Sequence, residues 1–214
     1  MRTAADFDGV YAKPDPWGVA KEPRRDKKLA RIIAPYVEGK TVLDLGCGEG
    51  HLTAAVFQGA AWVTALDISP VAILRTPKLL NARFAAIDFM SPDVSFEGYD
   101  VITALECLYY LSPEEQEAFF RKLSRQHRGT FIMSAPIIGR EYFTHEGLLE
   151  AFQRHGLTII DSRNVSVFWE GLGGKLAVRA AKLSDIAVRL CPERLVFQRC
   201  YVLRGERQGE WLGN

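Results

Sequence analysis

An α/β fold on a mostly parallel sheet is what this sequence predicts, and three observations carry the prediction. Apolar runs of strand length alternate with helical patterns, the signature of successive βαβ units. The first run ends in a turn of alternating glycines, Gly46, Gly48 and Gly50. The next two runs end in an aspartate, Asp67 and Asp88. A chain of 214 residues has room for one such domain and buries a core that needs no disulfide or metal staple.

The elements follow in order. Thr41–Gly46 reads as the first buried strand, Ala61–Asp67 as the second, Ala82–Asp88 as the third, Tyr99–Leu105 as the fourth and Thr130–Ala135 as the fifth. Between the fourth and fifth, Ser112 as N-cap, Pro113 at the first helical position and Glu115 closing a capping box start a helix. Its buried face is Phe119, Phe120 and Leu123. A further helix starts near Thr144, carries Leu148, Leu149 and Phe152 on one face and stops at Gly156. Leu157–Trp169 and Leu195–Leu203 read as long strands that suit an antiparallel hairpin at the sheet edge. Between them, Lys175–Leu190 has apolar residues at helical spacing and reads as an inserted helix, serving as core, substrate lid or dimer contact.

Composition excludes several classes. Lys and Arg number 27 against 26 Asp and Glu, without the basic excess expected of a nucleic-acid binder. No apolar run is long enough to span a membrane, and the polar, acidic stretch 1–10 is no secretory signal. Cys47, Cys107, Cys191 and Cys200 show no CxxC or Cys/His ligand spacing, which points to reduced thiols and a cytoplasmic protein. No carboxylate cluster suggests a catalytic metal.

The chemistry starts at Val42-Leu43-Asp44-Leu45-Gly46-Cys47-Gly48-Glu49-Gly50. A dinucleotide fingerprint would need glycine where His51 stands, so a nicotinamide oxidoreductase is the weaker reading. Asp67 ends the next strand, where an acid accepts hydrogen bonds from ribose hydroxyls. Asp88, one strand further, is placed for an adenine amino group. A triple-glycine turn with acids at three adjacent strand ends describes a nucleoside pocket rather than a phosphate cradle.

On these motifs the chain resembles the class I S-adenosylmethionine-dependent methyltransferases, from about Asp6 to Leu203. VLDLGCGEG is similar to the family's first motif, TALDIS to its second, AAIDF to its third and FEGYDVITALECLYYL to its fourth. The resemblance implies a Rossmann-like sheet of seven strands with the last antiparallel and helices on both faces. A narrower likeness is to the nodulation N-methyltransferases, which methylate an amino sugar. It rests on Tyr11-Ala12-Lys13-Pro14-Asp15-Pro16-Trp17, on the basic helix with Glu22 and Arg25, and on Glu106-Cys107-Leu108-Tyr109-Tyr110-Leu111. The resemblance divides the chain into a lid (1–38), a cofactor-binding core (39–169) and an insertion with the final strand (170–214).

Carried over residue by residue, the resemblance implies these roles. The backbone at Gly46, Cys47, Gly48 and Gly50 meets the methionine part of S-adenosylmethionine, and Asp44 orients its ammonium or the turn. Asp67 binds the ribose, Ile68 packs on the adenine, and Asp88 with Phe89 defines the adenine edge. Glu106 faces the methionine end or the acceptor, Tyr11 and Trp17 close as a lid, and Arg25 partners the carboxylate. Glu106, Tyr109, Tyr110 and His145 are the candidates for a base. The acceptor is expected to be a small molecule or saccharide, methylated on nitrogen or oxygen by a monomer or homodimer. A catalytically silent S-adenosylmethionine-binding partner protein is the alternative. The basic stretch Lys21, Arg24, Arg25, Lys27, Lys28 and Arg31 is either a solvated helix face or a site for an anionic acceptor.

Overall fold

The computed structural model describes residues 3–19, 23–139, 141–167, 188 and 191–205. Helix α1 (Ala4–Val10) opens with a reciprocal capping box between Thr3 and Asp6. Helix α2 (Pro23–Val37) follows, burying Leu29, Ile33 and Val37, an i, i+4, i+8 stripe. Arg24, Lys27 and Arg31 lie on its exposed side, so most of the described basic stretch is a solvated face. Strands β1 (Thr41–Leu45), β2 (Trp62–Asp67), β3 (Ala82–Ala86), β4 (Val101–Leu105) and β5 (Thr130–Pro136) alternate with α3 (His51–Val56), α4 (Pro70–Ile73) and α5 (Pro113–Gln126). Helix α6 (His145–Arg154) leads to β6 (Leu157–Val167) and β7 (Val196–Gly205).

The seven strands form one sheet in the order β3-β2-β1-β4-β5-β7-β6. β1 to β5 pair in parallel, and β7 runs antiparallel to both β5 and β6. Side chains alternate between two apolar layers. Leu43, Ile102, Phe131 and Tyr201 join Phe119 and Phe152 on one face. Val42, Val101, Ile132 and Val202 join Leu29, Ile33 and Phe57 on the other.

The seven-stranded sheet expected from the sequence is the one observed, and the Ser112–Glu115 capping box closes as read. Three details differ. β3 ends at Ala86, so Asp88 lies in the loop beyond it, accepting from Met90 N at 2.8 Å. Leu149 is 39% exposed while Leu148 and Phe152 are buried, because α6 turns a narrower stripe inward. β5 runs on to Pro136, one residue past the expected end, while the antiparallel β6–β7 hairpin lies at the sheet edge as expected, with β7 beside β5. The expected Lys175–Leu190 helix lies outside the described residues, except for buried Val188, whose carbonyl accepts from Asn164 Nδ2 at 3.1 Å. No helix among the described residues is long and apolar enough to cross a membrane.

Candidate functional site

A cavity of about 470 Å³ opens at the carboxyl ends of the parallel strands, where ligands of open α/β sheets bind. Its floor is the turn after β1. Gly46 and Gly48 hold φ of 69° and 55°, left-handed backbone that glycine adopts without strain. Space also demands glycine there. A Cβ on Gly46 would lie 2.5 Å from Cys107 Cβ, and one on Gly48 would lie 2.6 Å from the Tyr11 hydroxyl. The amides of Gly46 and Cys47 both donate to Leu66 O, at 2.8 and 3.0 Å, tying the turn to β2.

Asp67 ends β2 inside this cavity. Its two carboxylate oxygens accept from Gly48 N at 2.8 Å and Ser69 N at 2.9 Å. Burial raises its pKa, and those two amides work against the rise. A carboxylate has about four acceptor positions, so lone pairs remain for hydroxyls of a ligand. Ile68, Asp88 and Phe89 line the same side. Asp44 is different. It is buried beneath the turn, outside the cavity lining, with its oxygens accepting from Thr53 and Thr103 hydroxyls at 2.7 Å each. It therefore joins β1 to α3 and β4 beneath the turn. Burial pushes its carboxyl up to about 6.

Glu106 follows β4 with φ of 60°. Among the described residues, the non-glycines with left-handed backbone are Asp15 (φ 48°) and Glu106, and both line the cavity. Such conformations cost on the order of 1–2 kcal/mol each and persist where the surroundings impose them, often at functional sites. Gln198 Nε2 donates to Glu106 Oε1 at 2.7 Å. Desolvation raises the Glu106 pKa, while this bond and the nearby charge of Arg25 oppose the rise. Tyr109 also lines the cavity, and burial followed by the Glu106 charge pushes its phenol far above its ordinary range. It keeps its proton at neutral pH and serves as a donor or a wall. Burial likewise raises the Cys47 and Cys107 thiols well above their ordinary value, which removes them as nucleophiles.

The chain segment after α1 covers the cavity. Tyr11 is buried against the glycine turn, and half-exposed Trp17 packs edge-on to it with ring centroids 5.1 Å apart. Arg25 lines the cavity and reaches Asp26 Oδ1 at 3.2 Å.

His145 is not brought to this cavity. It begins α6, with Nδ1 2.7 Å from the Tyr201 hydroxyl and Nε2 3.1 Å from Arg199 Nη1. Arginine only donates, so Nε2 must accept and Nδ1 carries the proton toward Tyr201. Neither ring nitrogen is placed to serve a ligand in the cavity.

Several residues escaped the sequence reading. Buried Glu49 accepts from Arg75 Nη1 at 2.9 Å and from Asp15 N at 2.7 Å. Arg75 Nη1 also donates to Tyr11 O at 2.7 Å. Together they latch the covering segment to the glycine turn and α4. Asp15, Glu49 and His51 hold ligand atoms within 4.8 Å of one another, but Glu49 is already paired with a guanidinium. Tyr142 and Phe197 line the far side beside Tyr110, already a base candidate in sequence, and Gln198, outside the lining, holds Glu106. Gln198, with Arg199, left a signal in sequence, a polar pair inside a largely apolar strand.

Residues 42–128 match the family model described as a methyltransferase domain. Phosphoethanolamine N-methyltransferase 3 of Arabidopsis thaliana is 34% identical over 95 residues, covering 42% of this chain and 19% of that protein. Nodulation protein S of Bradyrhizobium diazoefficiens is 29% identical over 107 residues, covering 47% of this chain and 51% of that protein. The matched part thus spans about half or less of these relatives. In fold, the chain is similar to the N-methyltransferase NodS from Bradyrhizobium japonicum WM9 in complex with S-adenosyl-L-homocysteine. The TM-score is 0.69 at 17% identity, over 96% of this chain and 99% of that one.

Proposed function

We propose that this chain, whose residues 42–128 match the methyltransferase domain model and whose fold is similar to that of the N-methyltransferase NodS, is a class I S-adenosylmethionine-dependent methyltransferase that transfers a methyl group to a nitrogen or oxygen of a small molecule. The observation that carries the reading is Asp67, a carboxylate at a strand end that is hydrogen-bonded to the glycine turn and open to one cavity. The donor set fits S-adenosylmethionine: acceptors for ribose hydroxyls, close main chain for an extended amino-acid tail, and about 470 Å³ of space, within the range of small-molecule sites. When bound, the cofactor supplies a methyl group on an electrophilic sulfonium.

The protein's own work is positional. Asp67 would hold the ribose, Ile68 would pack on the adenine, and Asp88 with Phe89 would define the adenine edge. The main chain at Gly46, Cys47 and Gly48 meets the methionine tail, with Arg25 near its carboxylate. Tyr11 and Trp17, held down by the Glu49–Arg75 latch, exclude water. Glu106 faces the acceptor and takes its proton where one must leave. The cofactor would supply the methyl carbon, and these residues would hold the acceptor's lone pair in line with it.

Calorimetry tests the reading directly. S-adenosylhomocysteine should bind and NADH should not, and the reverse pattern would overturn it. Asp67→Ala should weaken the binding by about 1–3 kcal/mol, roughly 5- to 150-fold, through lost hydrogen bonds to a charged acceptor. An unchanged affinity would remove Asp67 from the site. Radiolabelled methyl transfer to panels of amines, amino sugars and phenols then identifies the nucleophile. Labelling of macromolecules alone would contradict a small-molecule acceptor.

A further inference from the structure

The cavity is far more acidic than the chain. The whole protein carries a formal charge of +1. Yet the cavity lining holds six carboxylates, at positions 15, 49, 67, 88, 106 and 115, against the guanidinium of Arg25 and the imidazole of His51, with the carboxylate at position 49 paired to Arg75. One oxygen of Glu115 accepts from Ser112 N at 2.8 Å, while the other is buried with no hydrogen-bond partner among the described residues. A cleft lined by one sign of charge concentrates ligands of the opposite sign. An anionic acceptor, which the basic stretch of α2 suggested, would meet this field unfavourably.

The second observation is aromatic. Four of the chain's seven tyrosines line the cavity. On the side of β4, β5 and β7, the Tyr109 ring stands 4.5 Å from Tyr110 and 5.2 Å from Tyr142, and Tyr142 stands 6.5 Å from Phe197. The planes in these pairs are inclined at 49°, 75° and 68°. Rings at such mutual angles form a concave wall with several π faces. Glu106, three residues before Tyr109, lines the same cavity, and Gln198 fixes one Glu106 oxygen. A ring wall beside a fixed carboxylate attracts a cation both by charge and by ring quadrupole.

We propose that the half of the cavity walled by Tyr109, Tyr110, Tyr142 and Phe197 is a subsite for an organic cation, and that the methyl acceptor is an amine taken up in its positively charged form. The inference rests on the methyltransferase reading and narrows it from nitrogen or oxygen to a charged amine. The chemistry balances. An N–H proton of the bound ammonium passes to the Glu106 carboxylate, and the freed lone pair bonds to the methyl carbon. The carbon–sulfur bond breaks with its electrons left on sulfur, and the nitrogen ends as an ammonium again. The product keeps its charge, so the same wall suits substrate and product.

Choline and its neutral isostere 3,3-dimethylbutan-1-ol are the probes, titrated calorimetrically into the protein with and without saturating S-adenosylhomocysteine. Choline should bind about tenfold or more tightly than the isostere, as expected for a desolvated cation–π site. The preference should shrink in Tyr109→Leu and in Glu106→Gln. Equal affinities for the two probes, or a preference for the alcohol, would overturn the inference whatever the variants do. If S-adenosylhomocysteine fails to bind, the methyltransferase reading falls, while the titration without it still reports whether the wall selects a cation.

Discussion

The two halves of the cavity are built by different means. Over β1, β2 and β3 the wall is largely main chain: the Gly46–Gly50 turn, pinned to Leu66 O and closed by Asp67 on Gly48 N. Over β4, β5 and β7 it is side chain, and its central hydrogen bond joins residues 92 positions apart, Gln198 and Glu106. Main-chain groups point the same way whatever side chains surround them, which suits a ligand common to the whole fold. Side chains gathered from distant segments change with each substitution, which suits a ligand particular to this protein. The difference teaches where to look for specificity: on the β4–β5–β7 side.

The halves meet at Gly46, and the largest expected effect lies there. Gly46→Ala places a Cβ 2.5 Å from Cys107 Cβ at a φ of 69°. Left-handed strain adds about 1–2 kcal/mol and the overlap about 1–3 kcal/mol, so the variant should lose roughly 2–5 kcal/mol. Gly98 is the control, with φ of 82° but nothing within 4 Å of its missing Cβ. Gly98→Ala should show only the strain. Urea unfolding midpoints measure both. Equal losses would mean that the two halves are not wedged together at this point.

Asp44 carries the next effect, because it supports the main-chain half from beneath. The folded protein holds the Asp44 proton up to about pH 6, whereas the unfolded chain releases it near the ordinary 3.8. Between these values the native state binds more protons, so this group's contribution to stability falls as pH rises from about 4 to 6. The fall is on the order of 2–3 kcal/mol, at 1.36 kcal/mol per unit. Asp44→Asn keeps an acceptor for one of the two threonine hydroxyls and cannot ionise. Its stability should therefore be flatter across the window than that of the parent. Parallel pH curves from denaturant titrations would show that Asp44 is not held protonated by burial.

The same contrast decides how much could be read from sequence. The glycine turn, Asp67 and the succession of strands β1 to β5 were legible because each depends on neighbours close in sequence. The helix starting at Ser112 was legible for the same reason, since a capping box spans only three residues. Asp44 was read as facing a ligand or the turn, and only packing shows which, through Thr53 and Thr103. His145 has a sequence position suited to the cavity, but Tyr201 and Arg199, more than fifty residues later, claim its ring. The Glu49–Arg75–Tyr11 latch and the aromatic wall are long-range as well. Phe197 reaches the cavity and Gln198 reaches Glu106 because β7 inserts antiparallel beside β5, bringing its first residues to the carboxyl ends of the parallel strands.

The smallest effect tests the side-chain half without touching the main-chain half. Gln198 acts through Glu106, by donating to Oε1 at 2.7 Å, and a donor to a carboxylate lowers its pKa. Gln198→Leu keeps the bulk and removes the donor, so the Glu106 carboxyl should rise further. With an ionised Glu106 required to take the acceptor proton, the acid limb of kcat/KM against pH should move to higher pH. At neutral pH the loss should be about 1 kcal/mol, a factor of roughly five, as for one charge-assisted hydrogen bond in a partly hydrated site. S-adenosylhomocysteine affinity should stay within about twofold, because the turn and Asp67 are unchanged. A Gln198 that only filled space would leave the pH limb where it was. A variant that instead weakened S-adenosylhomocysteine as much as it slowed transfer would mean that Glu106 serves the methionine end, and that the two halves share one ligand rather than dividing two.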